Sequence, residues 1–169
     1  DYVREWSQVL IYPKTYLSLL RIQTAGYKIV VVTNQSAVGR GVISIQTAEE
    51  INDKLIKTIQ ENGARVDRAY MCPHRPDEGC DCRKPKPGMI LQAARELDLD
   101  PSRSWMIGDA WSDLLAGQSA GARGLIMVRT GRGLDQTREP KPESLQGYSL
   151  VDDLEKAVDT LLANQGGKS

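Results

Sequence analysis

Short apolar runs alternate with amphipathic stretches along this chain, and each kind of stretch predicts its own element. Lys28-Ile29-Val30-Val31-Val32-Thr33 is continuously apolar and β-branched between polar ends, the pattern of a strand buried on both faces. Ala69-Tyr70-Met71 predicts a weaker strand, Trp105-Met106-Ile107-Gly108 one that ends at Asp109, and Gly124 to Val128 a fourth. Between them, Lys14 to Ala25 places Tyr16, Leu17, Leu19, Leu20 and Ile22 for a helix that stops at Gly26. Thr47 followed by Glu50 has capping-box spacing and predicts a helix running to Asn62-Gly63. Pro87 suits the first turn of a helix over Gly88 to Leu97, and Ser112 to Ala120 and Val151 to Leu162 predict two more. Gly131 to Gly147 is rich in glycine, proline and charge and predicts a surface loop. This alternation gives an α/β fold, an open parallel sheet with helices on both faces. A single domain is expected over residues 1–163, with 164–169 as a flexible tail.

Composition excludes more than it adds. A chain of 169 residues can bury a core without disulfide staples. Twenty-two basic residues balance 22 acidic ones, and no basic stripe points to a nucleic-acid partner. The longest apolar runs, Ile29 to Val32 and Leu125 to Val128, are far too short to cross a membrane. With no signal peptide in view, a cytoplasmic protein is expected. The sequence leaves the oligomeric state open, with a monomer as default. It begins at Asp1 without an initiator Met, which reads as a fragment, or as a trimmed or processed chain.

The first chemical signal is a concentration of ligands. All three cysteines and the only histidine lie between Cys72 and Cys82. Cys72, His74, Cys80 and Cys82 form a Cys₃His set, an accepted donor set for tetrahedral Zn²⁺. Pro73, Pro76 and Gly79 suit a turn that folds one ligand pair back on the other. The bland alternatives are a disulfide with a spare thiol, or three buried reduced cysteines. A reducing compartment weakens the disulfide, and the gathering of every Cys and the one His weakens coincidence. Four protein ligands leave no open position, so such a zinc is structural.

Three further segments sit where strands of an open α/β sheet end, the usual ligand site of such folds. Thr33-Asn34-Gln35-Ser36 offers hydroxyl and amide donors to phosphate oxygens, or is merely a polar turn. Arg83-Lys84-Pro85-Lys86-Pro87-Gly88 offers fixed cations to a dianion, or is a solvated basic turn. Gly108-Asp109-Ala110-Trp111-Ser112-Asp113 puts carboxylates at a strand-to-helix junction, where hard oxygen ligands suit Mg²⁺. Asp113 also reads as a first-turn acid favoured by the helix dipole.

Together, the TNQS of Thr33–Ser36, the CPH and CDCRKPKPGM of Cys72–Met89 and the GDAWSD of Gly108–Asp113 resemble the haloacid-dehalogenase-like phosphatases. More narrowly, they resemble the zinc-loop branch that contains the heptose-bisphosphate and histidinol-phosphate phosphatases. The resemblance covers nearly the whole chain, and TNQSAVGRG and VRTG lie nearer the heptose enzymes. It implies a Rossmann-like fold and an Mg²⁺-dependent aspartyl-phosphate mechanism on a sugar bisphosphate. It gives Thr33 and Lys84 catalytic roles in steadying the phosphoryl group. Thr33, Asn34, Gln35, Ser36, Arg83 and Lys84 are implied as substrate contacts, and Asp109 as the Mg²⁺ ligand.

Two departures stand out. Ala110 occupies a position where some relatives have Lys. The family's Asp-x-Asp-Gly, which carries the nucleophile and the acid/base on a central strand, occurs nowhere in the 169 residues. The expectation is therefore a sheet without its first, central strand and a chain inactive by itself. Histidinol-phosphate phosphatase and a non-catalytic phosphate-binding module are the alternatives.

Overall fold

Parallel strand pairing organises each of the two compact units into which the chain divides, Asp1–Arg83 and Lys84–Ser169. The computed structural model describes residues 2–166; Asp1 and the last three residues of the expected tail lie outside the described residues.

In the first unit, a 3₁₀ turn at Trp6–Gln8 precedes α1 (Thr15–Thr24), which ends before Gly26 at φ +89°. β1 (Val30–Asn34) leads into a single-turn helix, α2 (Ser36–Gly39), which the sequence reading had left as a polar turn. The long helix α3 (Ile45–Glu61) then crosses back to β2 (Arg68–Cys72). β1 and β2 pair in parallel from Val30↔Arg68 to Asn34↔Cys72. Asp67 fixes the register at the entrance, since its carboxylate accepts the Ile29 N–H at 2.7 Å while its own N–H donates to Ile29 O at 2.8 Å.

The start of α3 corrects the expected cap. Ser44, not Thr47, is the N-cap: its Oγ accepts the Thr47 N–H at 2.9 Å, so the helix begins earlier than the Thr47–Glu50 spacing implied. Ala48, Ile51, Leu55 and Ile59 recur at three- and four-residue spacing. Leu55 and Ile59 pack with Ala64, Val66, Leu19, Ile29 and Val31 into the core of this unit. Each large aliphatic side chain buried there is worth about 1.5–3 kcal/mol.

The second unit begins with α4 (Gly88–Leu97), behind Pro87 in the N-cap position. A 3₁₀ turn at Pro101–Arg103 leads to β3 (Trp105–Gly108), α5 (Trp111–Ser119) and β4 (Gly124–Val128). The segment expected as plain loop contains a one-turn helix, α6 (Gly133–Gln136), and sends Leu145 into the core. β5 (Ser149–Val151) and α7 (Leu154–Ala163) complete the unit.

All strands of this sheet are parallel, in the order β3-β4-β5. β4 lies in the middle, and Leu125 to Val128 are all buried, as its unbroken apolar run predicts. β5 is a second correction, because Val151 was expected in a helix. The far edge of β4 takes Ser149, Leu150 and Val151 as pairing partners, and α7 starts only after Asp153 caps the Lys156 N–H at 3.0 Å. Trp111, Leu114, Leu125, Met127 and Leu145 form the core, with Tyr148 edge-on to Trp111 at 5.4 Å. Among the described residues no helix is long and apolar enough to cross a membrane.

Candidate functional site

The Cys/His loop closes on itself at the end of β2. Cys72, the last residue of that strand, is fully buried. Cys82 Sγ lies 3.1 Å from Cys72 Sγ, 3.3 Å from His74 Nδ1 and 3.6 Å from Cys80 Sγ. Cys72 Sγ is 3.6 Å from both His74 Nδ1 and Cys80 Sγ. A tetrahedron with Zn–S bonds of about 2.3 Å has edges of roughly 3.8 Å, so the four donors stand at the spacing one Zn²⁺ needs. A disulfide is ruled out by the same distances, since that bond is about 2.0 Å long and all three cysteines are free.

Burial, reinforced by the neighbouring thiols, pushes Cys82 up to about 12. It raises Cys72 as well. Burial acts in the same sense on Cys80, but the backbone N–H of Arg83 and the other two thiols outweigh it and bring Cys80 below the usual thiol range. A cation held among these thiols would favour their thiolate forms.

The polar turn after β1 leans on this loop. Gln35 N–H donates to Cys72 O and Gly39 N–H to Pro73 O, each at 2.8 Å. A Cβ on Gly39 would lie 2.8 Å from both Pro73 O and Arg75 N, so only glycine allows this approach. Thr33 and Asn34 end β1, and Ser36 opens α2 in a buried position. Arg83 Nη1 donates to His74 O at 3.1 Å, which ties the guanidinium to the metal loop. Thr33 to Ser36, the Cys₃His set and Arg83 are thus joined within the first unit.

In the second unit, the cation and the acids meet. Lys84 Nζ lies 2.8 Å from Asp113 Oδ1, with the two side chains only 10% and 8% exposed. The other oxygen of Asp113 accepts the N–H groups of Asp109 at 3.1 Å and Ala110 at 3.0 Å. Gly108 leaves the space for it, because a Cβ there would collide with the Asp113 carboxylate. Asp109 Oδ2 in turn accepts the Arg132 N–H at 2.9 Å.

The sequence leaves Asp113 open between a carboxylate of the acidic junction and a helix-start acid, and only Asp109 is expected as the Mg²⁺ ligand. The structure makes it the group that holds Lys84 and the backbone of Asp109. Its spacing four residues after Asp109, across a strand-to-helix junction, was the available signal.

Residues 81–157 match the family model described as HAD-hydrolase-like. The chain is similar to the D-glycero-beta-D-manno-heptose-1,7-bisphosphate 7-phosphatase of Pseudomonas aeruginosa, at 35% identity over 162 residues, covering 96% of this chain and 89% of that protein. The enzyme of the same name from Haemophilus ducreyi is 39% identical over 142 residues, covering 80% of this chain and 78% of its own. Among solved structures, the D,D-heptose 1,7-bisphosphate phosphatase from B. bronchiseptica, complexed with magnesium and phosphate, matches with a TM-score of 0.86 at 34% identity. That match covers 96% of this chain and 89% of that one.

Proposed function

Because the chain belongs to the haloacid-dehalogenase-like family of D-glycero-beta-D-manno-heptose-1,7-bisphosphate 7-phosphatases, we propose that it acts on the 7-phosphate of that sugar as a phosphoric monoester hydrolase. The observation that carries this reading is the 35% identity to the Pseudomonas aeruginosa enzyme over 96% of the chain. The substrate is a small phosphorylated sugar, met in the cytoplasm by a monomer.

Each site residue takes a role in this proposal. Thr33 donates its hydroxyl to the phosphoryl group in transfer, and Asn34, Gln35 and Ser36 contact the substrate. Arg83 recognises the substrate through its planar fork, and Lys84 offsets phosphoryl charge as a point cation. The Asp113 carboxylate pairs with the Lys84 ammonium and aims it. Asp109 is the ligand for Mg²⁺, as a hard carboxylate oxygen at a strand end suits that ion. Mg²⁺, when bound, neutralises phosphate oxygens and fixes their orientation. Cys72, His74, Cys80 and Cys82 hold a structural Zn²⁺, whose part is to set the loop on which Gln35, Gly39 and Arg83 rest. Phosphoryl transfer asks chiefly for such positioning and charge.

The test is phosphate release from heptose 1,7-bisphosphate with Mg²⁺, against histidinol phosphate as comparator. It is run on the 169 residues alone and with a strand ending in Asp-x-Asp-Gly joined ahead of Asp1. Turnover of the heptose by the extended protein, with none by the 169 residues alone, is the expected result. Preference for histidinol phosphate would move the chain to the other enzyme of the branch. No turnover of any phosphate monoester by the extended protein would support a binding module.

A further inference from the structure

The segment after β4, expected only as surface loop, reaches back to the acidic junction at two points. Arg132 N–H donates to Asp109 Oδ2 at 2.9 Å, across 23 residues of sequence. Trp111 N–H donates to Gln136 Oε1 at 3.1 Å, across 25. Trp111 is the first residue of α5, and its N–H is one of the helix-start donors with no partner inside the helix. Ala110, in the N-cap position, has no side-chain oxygen to offer, and Gln136 supplies one from outside. The amide is oriented by its second bond, since Gln136 Nε2 donates to Glu139 Oε2 at 3.2 Å.

Close packing couples the two contacts. Gly131 has φ +64°, and a Cβ there would overlap Asp109 Oδ2. A Cβ on Gly133 would overlap the Val128 carbonyl oxygen and come within 3.8 Å of Asp109 Cα. The backbone therefore lies directly on the carboxylate. Gly133 N–H to Thr130 O, Leu134 N–H to Arg129 O and Gln136 N–H to Arg132 O close the turn, so the Gln136 amide and the Arg132 N–H move as one piece.

We propose that Gly131–Gln136 is a clamp that orients the Asp109 carboxylate, with Gln136 as its positioning residue. This rests on the reading of Asp109 as the Mg²⁺ ligand. A carboxylate has about four lone-pair sites, so one backbone N–H fixes its rotation and leaves capacity for a cation. Groups that orient a metal ligand commonly change affinity by about 10–100-fold when removed. Gln136 touches neither metal nor substrate in this account; it acts through Arg132 and Trp111.

The experiment compares Gln136→Met, which keeps the length but loses the acceptor, with the double variant Gln136→Glu/Glu139→Gln, which keeps an acceptor oxygen and reverses the orienting hydrogen bond. Mn²⁺ is the probe, titrated by electron paramagnetic resonance, and amide hydrogen exchange at Arg132 and Trp111 is followed by NMR. Gln136→Met is expected to weaken Mn²⁺ binding about ten-fold and to speed exchange at both amides, with the double variant keeping both at the parent value. Gln136→Ala takes the place of Gln136→Met should that variant not fold. Parent-like affinity and exchange in the variant without an acceptor would overturn the proposal. Equal loss in the double variant would overturn the acceptor role. Asp109→Asn separates the underlying reading: if it binds Mn²⁺ like the parent, Asp109 is not the ligand, while the exchange measurement still decides whether the clamp exists.

Discussion

The Cys72–Cys82 loop gathers its donors from a single turn of chain, whereas the acidic junction of Gly108–Asp113 draws its counter-charge from Lys84 and a backbone donor from Arg132. The loop is short of charge compensation. Its thiols crowd within 3.1 to 3.6 Å of one another, and burial raises both Cys72 and Cys82 above the usual thiol range. The acidic junction is compensated from within the protein, because Asp113 has Lys84 on one oxygen and two N–H groups on the other. The loop is a donor set that a Zn²⁺ would compensate, whereas the acidic junction is compensated by the protein's own groups.

The largest effect that separates the two is loss of zinc. Elemental analysis is expected to give about one Zn per chain, with binding worth on the order of 10–16 kcal/mol. Cys80→Ser should abolish most of it and raise hydrogen exchange at Gln35 and Gly39, whose N–H groups rest on Cys72 O and Pro73 O. Exchange in β3 and β4 should stay as it was. Undiminished zinc in Cys80→Ser would show that the ligand set is wrong.

Next in size is Asp113→Ala, which removes the carboxylate paired with the Lys84 ammonium and strips two backbone N–H groups of their acceptor. Denaturant unfolding should show a loss of about 3–5 kcal/mol. The zinc content should not change. Coupled loss of zinc in this variant would break the contrast between a self-contained loop and a junction assembled at long range.

Gly39→Ala probes the seam between the polar turn and the metal loop. The added methyl would press on Pro73 O and Arg75 N, and a cost of about 1–3 kcal/mol is expected. Zinc affinity should fall with it, which a competition titration with a chromogenic chelator would read.

The smallest predicted effect concerns helix starts, where the contrast recurs. α3 is capped by its neighbour Ser44, and α5 from far along the chain by Gln136. Ser44→Ala should cost about 1 kcal/mol and leave Mn²⁺ binding at the parent value. A change in Mn²⁺ affinity would mean that general loosening, rather than the clamp, governs the acidic site.

What the sequence disclosed follows the same division. The unbroken apolar runs at Val30 to Val32 and Leu125 to Val128 predicted β1 and β4, but the burial on both faces expected of β1 is found only in β4; every residue of β1 is half-buried. Cys72, His74, Cys80 and Cys82 were legible because the ligands are neighbours in sequence. β5 was not, since three residues are too few to show a period and its formation depends on the open edge of β4. The roles of Asp113 and Gln136 were missed for a related reason. A helix-start acid and a loop glutamine are common residue types, and only tertiary structure brings them to Lys84 and Trp111. α2 and α6 are single turns, shorter than the helical pattern needs to reveal itself.

The most direct test of the proposed activity follows each phosphorus of heptose 1,7-bisphosphate by ³¹P NMR, using the chain extended with an Asp-x-Asp-Gly strand in the presence of Mg²⁺. The account predicts that the C7 monoester signal is lost, inorganic phosphate appears, and the C1 phosphate remains. Persistence of the C7 signal, or loss of the C1 phosphate in its place, would contradict it.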